Sequence, residues 1–189
     1  IGTYRLLLGS VAKKNFGFYS ELEFNLKNII KNCKGEILEV SRFCLNSNYK
    51  KYILVSFMWK MLLKYIENYK IRYIFGCVSI EDYDPLKIGK FLYFFQENYF
   101  SSSKFRVYPN FLNRYDYVKS LVRINKEKIY KILPPLLRIY LKTGAVVCGE
   151  PAFDNYFDVV DFFMLLDTKK MNIEFVRRLI GNNNLFKKL

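Results

Sequence analysis

"ILEVSRFCLNSNYKKY" occupies residues 37–52, and its interpretation decides the fold. It opens as an apolar strand, takes in Glu39 and Arg42 three positions apart, passes Cys44, and empties into a basic loop. A helix carrying Trp59, the single tryptophan, follows. A buried strand tolerates a carboxylate and a guanidinium only where each finds a partner. Side chains alternate along a strand, so residues three apart point to opposite faces unless a bulge intervenes. Two arrangements are therefore open: an ion pair between Glu39 and Arg42, or separate partners for each.

Working outward, the 189 residues fall within the range of one domain spanning 1–189. Hydrophobic residues make up 51% and aromatics 19% (Phe 18, Tyr 16), which excludes a disordered chain. The net charge of +14 calls for an acidic partner or surface. No apolar run reaches the ~20 residues of a spanning helix. The four cysteines (33, 44, 77, 148) are scattered without a CxxC pair and read as buried free thiols of a reducing cytoplasm. The chain has no histidine, so Cys-His and Ser-His nucleophiles are excluded and no metal site is expected. Carboxylate, Tyr, Lys, Arg and backbone groups remain for chemistry.

The pattern alternates strands and helices. Strands are expected over 2–8, 36–45 and 71–80, the last with Gly76 marking close backbone approach or a bulge. Ser20 followed by Glu23 has the spacing of a capping box and predicts a short helix or turn-rich connector. A long helix over 52–69 should pack Leu54, Phe57, Met58, Met61, Leu62 and Tyr65 inward. Asp84 before Pro85 starts another helix. "FRVYPN" and "VKSLVRI" read as strands, and "PPLLRIYLKTG" as a helix closed by Gly144. "AVVCGEPAFDNYFDVVDFFMLLD" gives two strand-like runs, and a terminal helix precedes a frayed tail. The order predicts an α/β layer fold, helices on one mixed sheet.

Taken in order, "GTYRLL", "FYSELEFNL", "LEVSRFCLNSNYKK", the Trp59 helix, "FGCVSIEDYDP" and "LPPLLRIYLKTGAVVCGEPAFDNYFDVVDFFMLLD" resemble the ornithine N-acyltransferase and hemolysin-like branch of the GNAT superfamily. That branch is similar in turn to the acyl-homoserine lactone synthases, which share the Glu-x-Ser-Arg-Phe strand. The resemblance implies a mixed, mostly antiparallel GNAT-like sheet flanked by helices. It also implies that the family's first strands and helices precede Ile1 and are missing here, leaving the strand at 2–8 as an unpaired edge. The expected activity is transfer of a fatty acyl group from a thioester to the α-amine of ornithine, giving lyso-ornithine lipid. Where family members commonly show Gly-Arg-Ser-Cys, this chain has Ser41-Arg42-Phe43-Cys44.

In GNAT folds the thioester lies along a central strand splayed from its neighbour, its pantetheine arm completing the sheet. The resemblance puts that role on strand 36–45, with Cys44, Leu45, Tyr49, Lys50 and Gly76 holding acyl-pantetheine and an N–H near Cys44 or Leu45 facing the carbonyl oxygen. Glu39 and Arg42 are the expected catalytic residues, Glu39 accepting a proton from the amine, with burial raising its pKa toward a useful range. Glu150 and Asp161 are the expected acceptor-binding residues. Tyr83, Tyr93 and Tyr99 lie where a GNAT tyrosine often protonates the leaving thiolate, and the aromatic surplus could line an acyl tunnel. "NSNYKKY" precedes a helix N-terminus that favours phosphate and lacks a glycine-rich phosphate loop, which favours acyl carrier protein over acyl-CoA as the donor. No cofactor is expected to be bound. The expected partners are acyl carrier protein and, peripherally, the anionic inner membrane face, with no nucleic acid. Three alternatives stand beside this expectation: an acyl-homoserine lactone synthase-like enzyme, a basic nucleic-acid-binding module, and a non-catalytic remnant of a split gene.

Overall fold

The structure is a computed structural model, and it describes all residues but 47, 49, 50, 82, 83, 120–124 and 182–189. One mixed sheet organises it, in the order β1 (Gly2–Leu8), β3 (Glu36–Leu45), β4 (Ile71–Ile80), β8 (Val159–Asp167), β6 (Val146–Val147), with β7 (Ala152–Asp154) also pairing β8. Among the described strand pairs of this sheet, only β3 and β4 run parallel, and the others are antiparallel. A second, two-stranded sheet joins β2 (Phe24–Asn25) to β5 (Tyr108–Pro109). This is the expected mixed, mostly antiparallel sheet flanked by helices.

Alternation along the strands divides the core into two layers. One face of the sheet, with Leu38, Ile74, Val78, Phe162 and Met164, packs against α3 (Lys51–Asn68), α4 (Pro85–Asn98), α6 (Pro135–Thr143) and α7 (Ile173–Ile180). The other face, with Ile37, Phe75, Phe163 and Leu165, packs under α1 (Gly9–Ala12), a 3-10 turn at Tyr19–Leu22, β2 and α2 (Lys27–Asn32). One further helix, α5 (Lys126–Ile132), contacts α4.

Local chemistry explains most boundaries. Asp84 caps α4, accepting from the Leu86 and Lys87 N–H groups, with Pro85 at the first helical position. Gly144 closes α6 at φ 99°, in the left-handed region.

Three expectations are corrected. The inward stripe of α3 is Val55, Met58, Trp59, Leu62, Leu63 and Ile66, while Phe57 and Met61 lie 60% and 52% exposed. A helix apolar on more than one side offers two candidate stripes, and contact with the sheet selects one. The segment 105–110 contributes only the two residues of β5, and "VKSLVRI" falls largely outside the described residues. All four cysteines are free, but only Cys33 and Cys148 are buried; Cys77 is half-buried and Cys44 exposed.

Candidate active site

The parallel β3–β4 ladder runs from Glu36–Ile71 to Glu39–Phe75 and then stops. Beyond it the strands separate, and a cavity of about 900 Å³ opens between them, lined by residues of both sheet faces. Gly76 sits at the point of separation, where a Cβ would collide with the Val40 carbonyl oxygen. The glycine at this position follows from that approach, as "FGC" inside an apolar strand suggested.

On its other edge β3 carries a bulge. Thr3 pairs with Cys44 and Arg5 with Ser41, so Tyr4 alone faces both Arg42 and Phe43. Arg42 takes the extra position at φ 55°. The bulge resolves the spacing of Glu39 and Arg42: both come to the face covered by Tyr19. The Tyr19 N–H donates to Glu39 Oε2 over 2.9 Å, and Arg42 Nη2 donates to the Tyr19 hydroxyl over 2.9 Å. The two are joined through Tyr19, and no direct ion pair forms between them.

Glu39 is completely buried. Its Oε1 accepts from the Ser20 N–H at 2.7 Å and the Ser20 hydroxyl at 2.6 Å, and Arg5 stands 3.9 Å from Oε2. Its side chain lies behind Tyr19 and Ser20, which line the cavity; Glu39 itself does not. Direct contact with an incoming amine, as expected from the sequence, is therefore not what this geometry offers.

Arg42 lines the cavity with its guanidinium between two rings, 4.7 Å from the Tyr19 centroid and 4.6 Å from that of Phe157. Phe157 is presented by a turn that buried Asp154 fastens, its Oδ1 accepting from the Tyr156 and Phe157 N–H groups.

The same face of the cavity is acidic. Asp161 comes from the first half of β8, opposite Ser79 of β4, and Glu23 comes from the segment after the 3-10 turn. The Asn110 N–H donates to the Glu23 carbonyl at 2.7 Å and holds that segment in place. Both carboxyl side chains belong to residues only 4% exposed and line the cavity. Their donor atoms and the Cys77 sulfur lie within 4.8 Å of one another, close enough to share one small cation. Among the described residues no other group donates to Glu23 Oε2 or Asp161 Oδ1, and the two carboxyls interact with each other. Burial, and then the charge of Asp161, push Glu23 up to about 9. Burial also raises Asp161, against the pull of Ser79 and Glu23, and raises the Cys77 thiol.

On the opposite face the cavity is apolar, walled by Trp59, Leu62, Ile74, Leu136, Tyr140 and Met164. Trp59 and Tyr140 lie 6.1 Å apart, centroid to centroid.

Of the residues singled out from sequence, Arg42, Cys44, Gly76 and Asp161 are brought to this cavity. Leu45 does not line it. Its N–H nevertheless points to the open side: the Asn46 N–H donates to Ile1 toward β1, and alternation turns the preceding N–H outward. Glu150 is exposed, accepts from the Tyr117 hydroxyl at 2.8 Å, and stands outside the lining. Tyr93 and Tyr99 do not line the cavity, whereas Tyr19 and Tyr140 do. Tyr49, Lys50 and Tyr83 lie outside the described residues.

Ser20 and Glu23 were assigned to a capping box; the actual reciprocal contact is Glu21 accepting from the Phe18 N–H at 2.7 Å. Phe18 has no capping side chain, so the contact of Glu21 falls outside the Ser/Thr-x-x-Glu pattern, while Glu23, which fits that pattern from Ser20, turns inward instead.

The splayed parallel pair, the bulged central strand and the mixed sheet define a GNAT-like α/β fold, and the family model described as an acetyltransferase (GNAT) domain matches residues 1–60. Beyond that class, the chain is similar to proteins named L-ornithine N(alpha)-acyltransferase. That of Brucella abortus (strain 2308) is 26% identical over 93% of this chain and 63% of its own length. That of Rhizobium meliloti (strain 1021) is 29% identical over 91% of this chain and 59% of its own. That of Agrobacterium fabrum is 26% identical over 88% and 57%. The chain thus spans about three-fifths of the length of these curated relatives. No solved structure matches it significantly.

Proposed function

We propose that the protein transfers a fatty acyl group from the thioester of acyl carrier protein to the α-amine of ornithine. The observation that carries this is the cavity between β3 and β4, apolar at Trp59 and Tyr140 on one face and acidic at Glu23 and Asp161 on the other. An acyl thioester needs the first environment and a cationic amine the second. The names of the relatives supply the acceptor.

In this scheme the acyl chain lies on the α3–α6 side and the thioester carbonyl sits in the opening. Main-chain N–H groups on the open side of β3 stabilise the oxyanion. The neutral α-amine attacks the carbonyl carbon, the C–S bond breaks, and the proton lost by nitrogen ends on the pantetheine thiol. Glu39 contributes by fixing Tyr19 and Ser20, and Arg42 by binding the acceptor. The donor is carried by acyl carrier protein, an acidic partner suited to a chain of net charge +14. Among the described residues no helix is long and apolar enough to cross a membrane, so contact with an anionic lipid surface is peripheral in this scheme.

The test is mass-spectrometric detection of N-acylornithine from ornithine with acyl carrier protein or acyl-CoA as donor. Turnover with the carrier, weakening as salt rises, is the expected result. Absence of product with either donor, together with tight binding of an RNA or DNA duplex at physiological salt, would turn the assignment to a nucleic-acid-binding module.

A further inference from the structure

We infer that Glu23 and Asp161 form a subsite for the distal ammonium of a diamino acid, opposite Arg42, which takes the acceptor's carboxylate, so that the site selects a diamino acid over a monoamino acid of equal length. The inference rests on the acyl transfer proposed above and adds which nitrogen is held and by what.

Three observations carry it. Glu23 Oε2 and Asp161 Oδ1 are buried, line the cavity and receive no hydrogen bond from any other described group, so Glu23 has only the neighbouring Asp161 carboxyl to share a proton with. Buried polar atoms are ordinarily paired, so a donor belongs there when the site is filled. Next, the cavity lining carries two signs of charge, the Arg42 guanidinium, bonded to the Tyr19 hydroxyl, and the carboxyl pair of Glu23 and Asp161. A zwitterion with one extra ammonium matches both. Finally, the carboxyl pair suits the nitrogen that does not react. Attack on a thioester requires a free amine, and an ammonium lodged between two carboxyls is stabilised in its charged, non-nucleophilic form. The α-nitrogen, between the two anchors, is left to lose its proton and face the opening between β3 and β4.

The groups facing the pair from neighbouring elements add to this preference. Asp154 on β7 and Glu39 on β3 add negative charge, and Cys77 and Ser79 on β4 add neutral donors or acceptors. Arg5 and Arg42 both stack on the far partner, Tyr19, with guanidinium carbons 4.7 Å from its ring centroid. Nothing among the described residues occupies the point where the second ammonium would sit with a positive charge of its own.

The experiment compares ornithine with norvaline, which has the same carbon chain without the terminal nitrogen, in the wild-type protein and in Glu23→Gln and Asp161→Asn. Both changes preserve shape and relieve carboxyl–carboxyl repulsion; circular dichroism and Tm verify folding. Calorimetric binding without donor and kcat/KM with donor are both read. The wild type is expected to prefer ornithine on the order of a hundredfold, the scale of a buried charge contact, and each variant to lose most of that preference by weakening ornithine alone. Equal slowing of ornithine and norvaline would overturn the inference and make the pair the proton acceptor for the α-amine. Unchanged preference, or ornithine binding only with an added divalent metal, also overturns it. Pair-dependent ornithine binding without any acyl transfer would leave the subsite standing and remove the acyltransferase assignment. Transfer to ornithine with no effect of either variant would do the reverse.

Discussion

The Ser20 hydroxyl donates to Glu39 over 2.6 Å, and the N–H of the same serine donates to the same oxygen over 2.7 Å. With the Tyr19 N–H on the second oxygen, one buried carboxylate from the central strand fastens the segment that carries Tyr19, Ser20 and Glu23 onto the sheet. Glu39 thus acts on the cavity through the residues that line it.

Glu39→Gln should accordingly lower stability as well as activity. An amide offers one oxygen where the carboxylate used two, so one of the buried N–H donors loses its acceptor, at about 1–3 kcal/mol. In a domain of this size each kcal/mol shifts Tm by about 2–4 °C. N-acylornithine formation should drop on the order of a hundredfold as the segment loosens. Thermal melts and steady-state assays check this. A variant with wild-type Tm but lost activity would instead give Glu39 a direct role in proton transfer, and near wild-type activity would remove it from the site.

Arg42→Gly separates backbone from side chain. The φ of 55° is strained for arginine and free for glycine, while the guanidinium gains from Tyr19 and Phe157, each contact being about 0.5–1 kcal/mol at an exposed site. These offset one another, so Tm should stay within a few degrees. The KM for ornithine should rise at least tenfold, because the carboxylate anchor is gone. A KM equal to wild type would dismiss Arg42 as an acceptor contact.

How far these relationships could be read beforehand depended on range. The strands over 2–8, 36–45 and 71–80, the Asp84-Pro85 cap and the Gly144 stop are local chemistry, and each stands in the fold as expected. The conflict in the spacing of Glu39 and Arg42 was visible; its resolution by a bulge depends on pairing with Tyr4 of another strand. Glu23 was hidden because its partner, Asp161, lies far along the chain and nearby Ser20 offered a plausible local use. Glu150 stood out in a polar loop, yet that loop turns it outward to Tyr117. Composition could not say which aromatic residues of an aromatic-rich chain surround the cavity.

Titration offers a separate check on the acidic pair. Glu23 rises from 4.5 to about 9 in the folded protein, so the native state binds more protons than the unfolded one between those values. Stability from this group is therefore greatest below about pH 4.5, declines as pH rises toward 9, and levels off above it. In Glu23→Gln that slope should flatten, leaving the variant more stable than wild type near pH 8. Ornithine should counteract the decline in the wild type, since a bound ammonium favours the ionised pair. Chemical denaturation across this range, with and without ornithine, gives the answer; parallel curves for the two proteins would mean that Glu23 is not held protonated.

Gly76 and Gly149 provide a matched pair for the opening itself. A Cβ on either would collide with a backbone carbonyl oxygen, that of Val40 for Gly76 and that of Val107 for Gly149. Backbone cannot rotate aside as a side chain does, so Gly76→Ala and Gly149→Ala should each lose stability by about 1–3 kcal/mol, the scale of overpacking. Their consequences for activity should differ. Gly149 lies outside the cavity lining, and its replacement should leave kcat/KM close to wild type at a temperature where the protein remains folded. Gly76 sits where β3 and β4 part, so a methyl group there pushes Val40 away and changes the width through which the thioester must reach the amine. Gly76→Ala should lose at least tenfold in kcat/KM for the acyl donor, with ornithine binding in the absence of donor retained. Equal activity in the two variants would place the thioester somewhere other than the opening between β3 and β4.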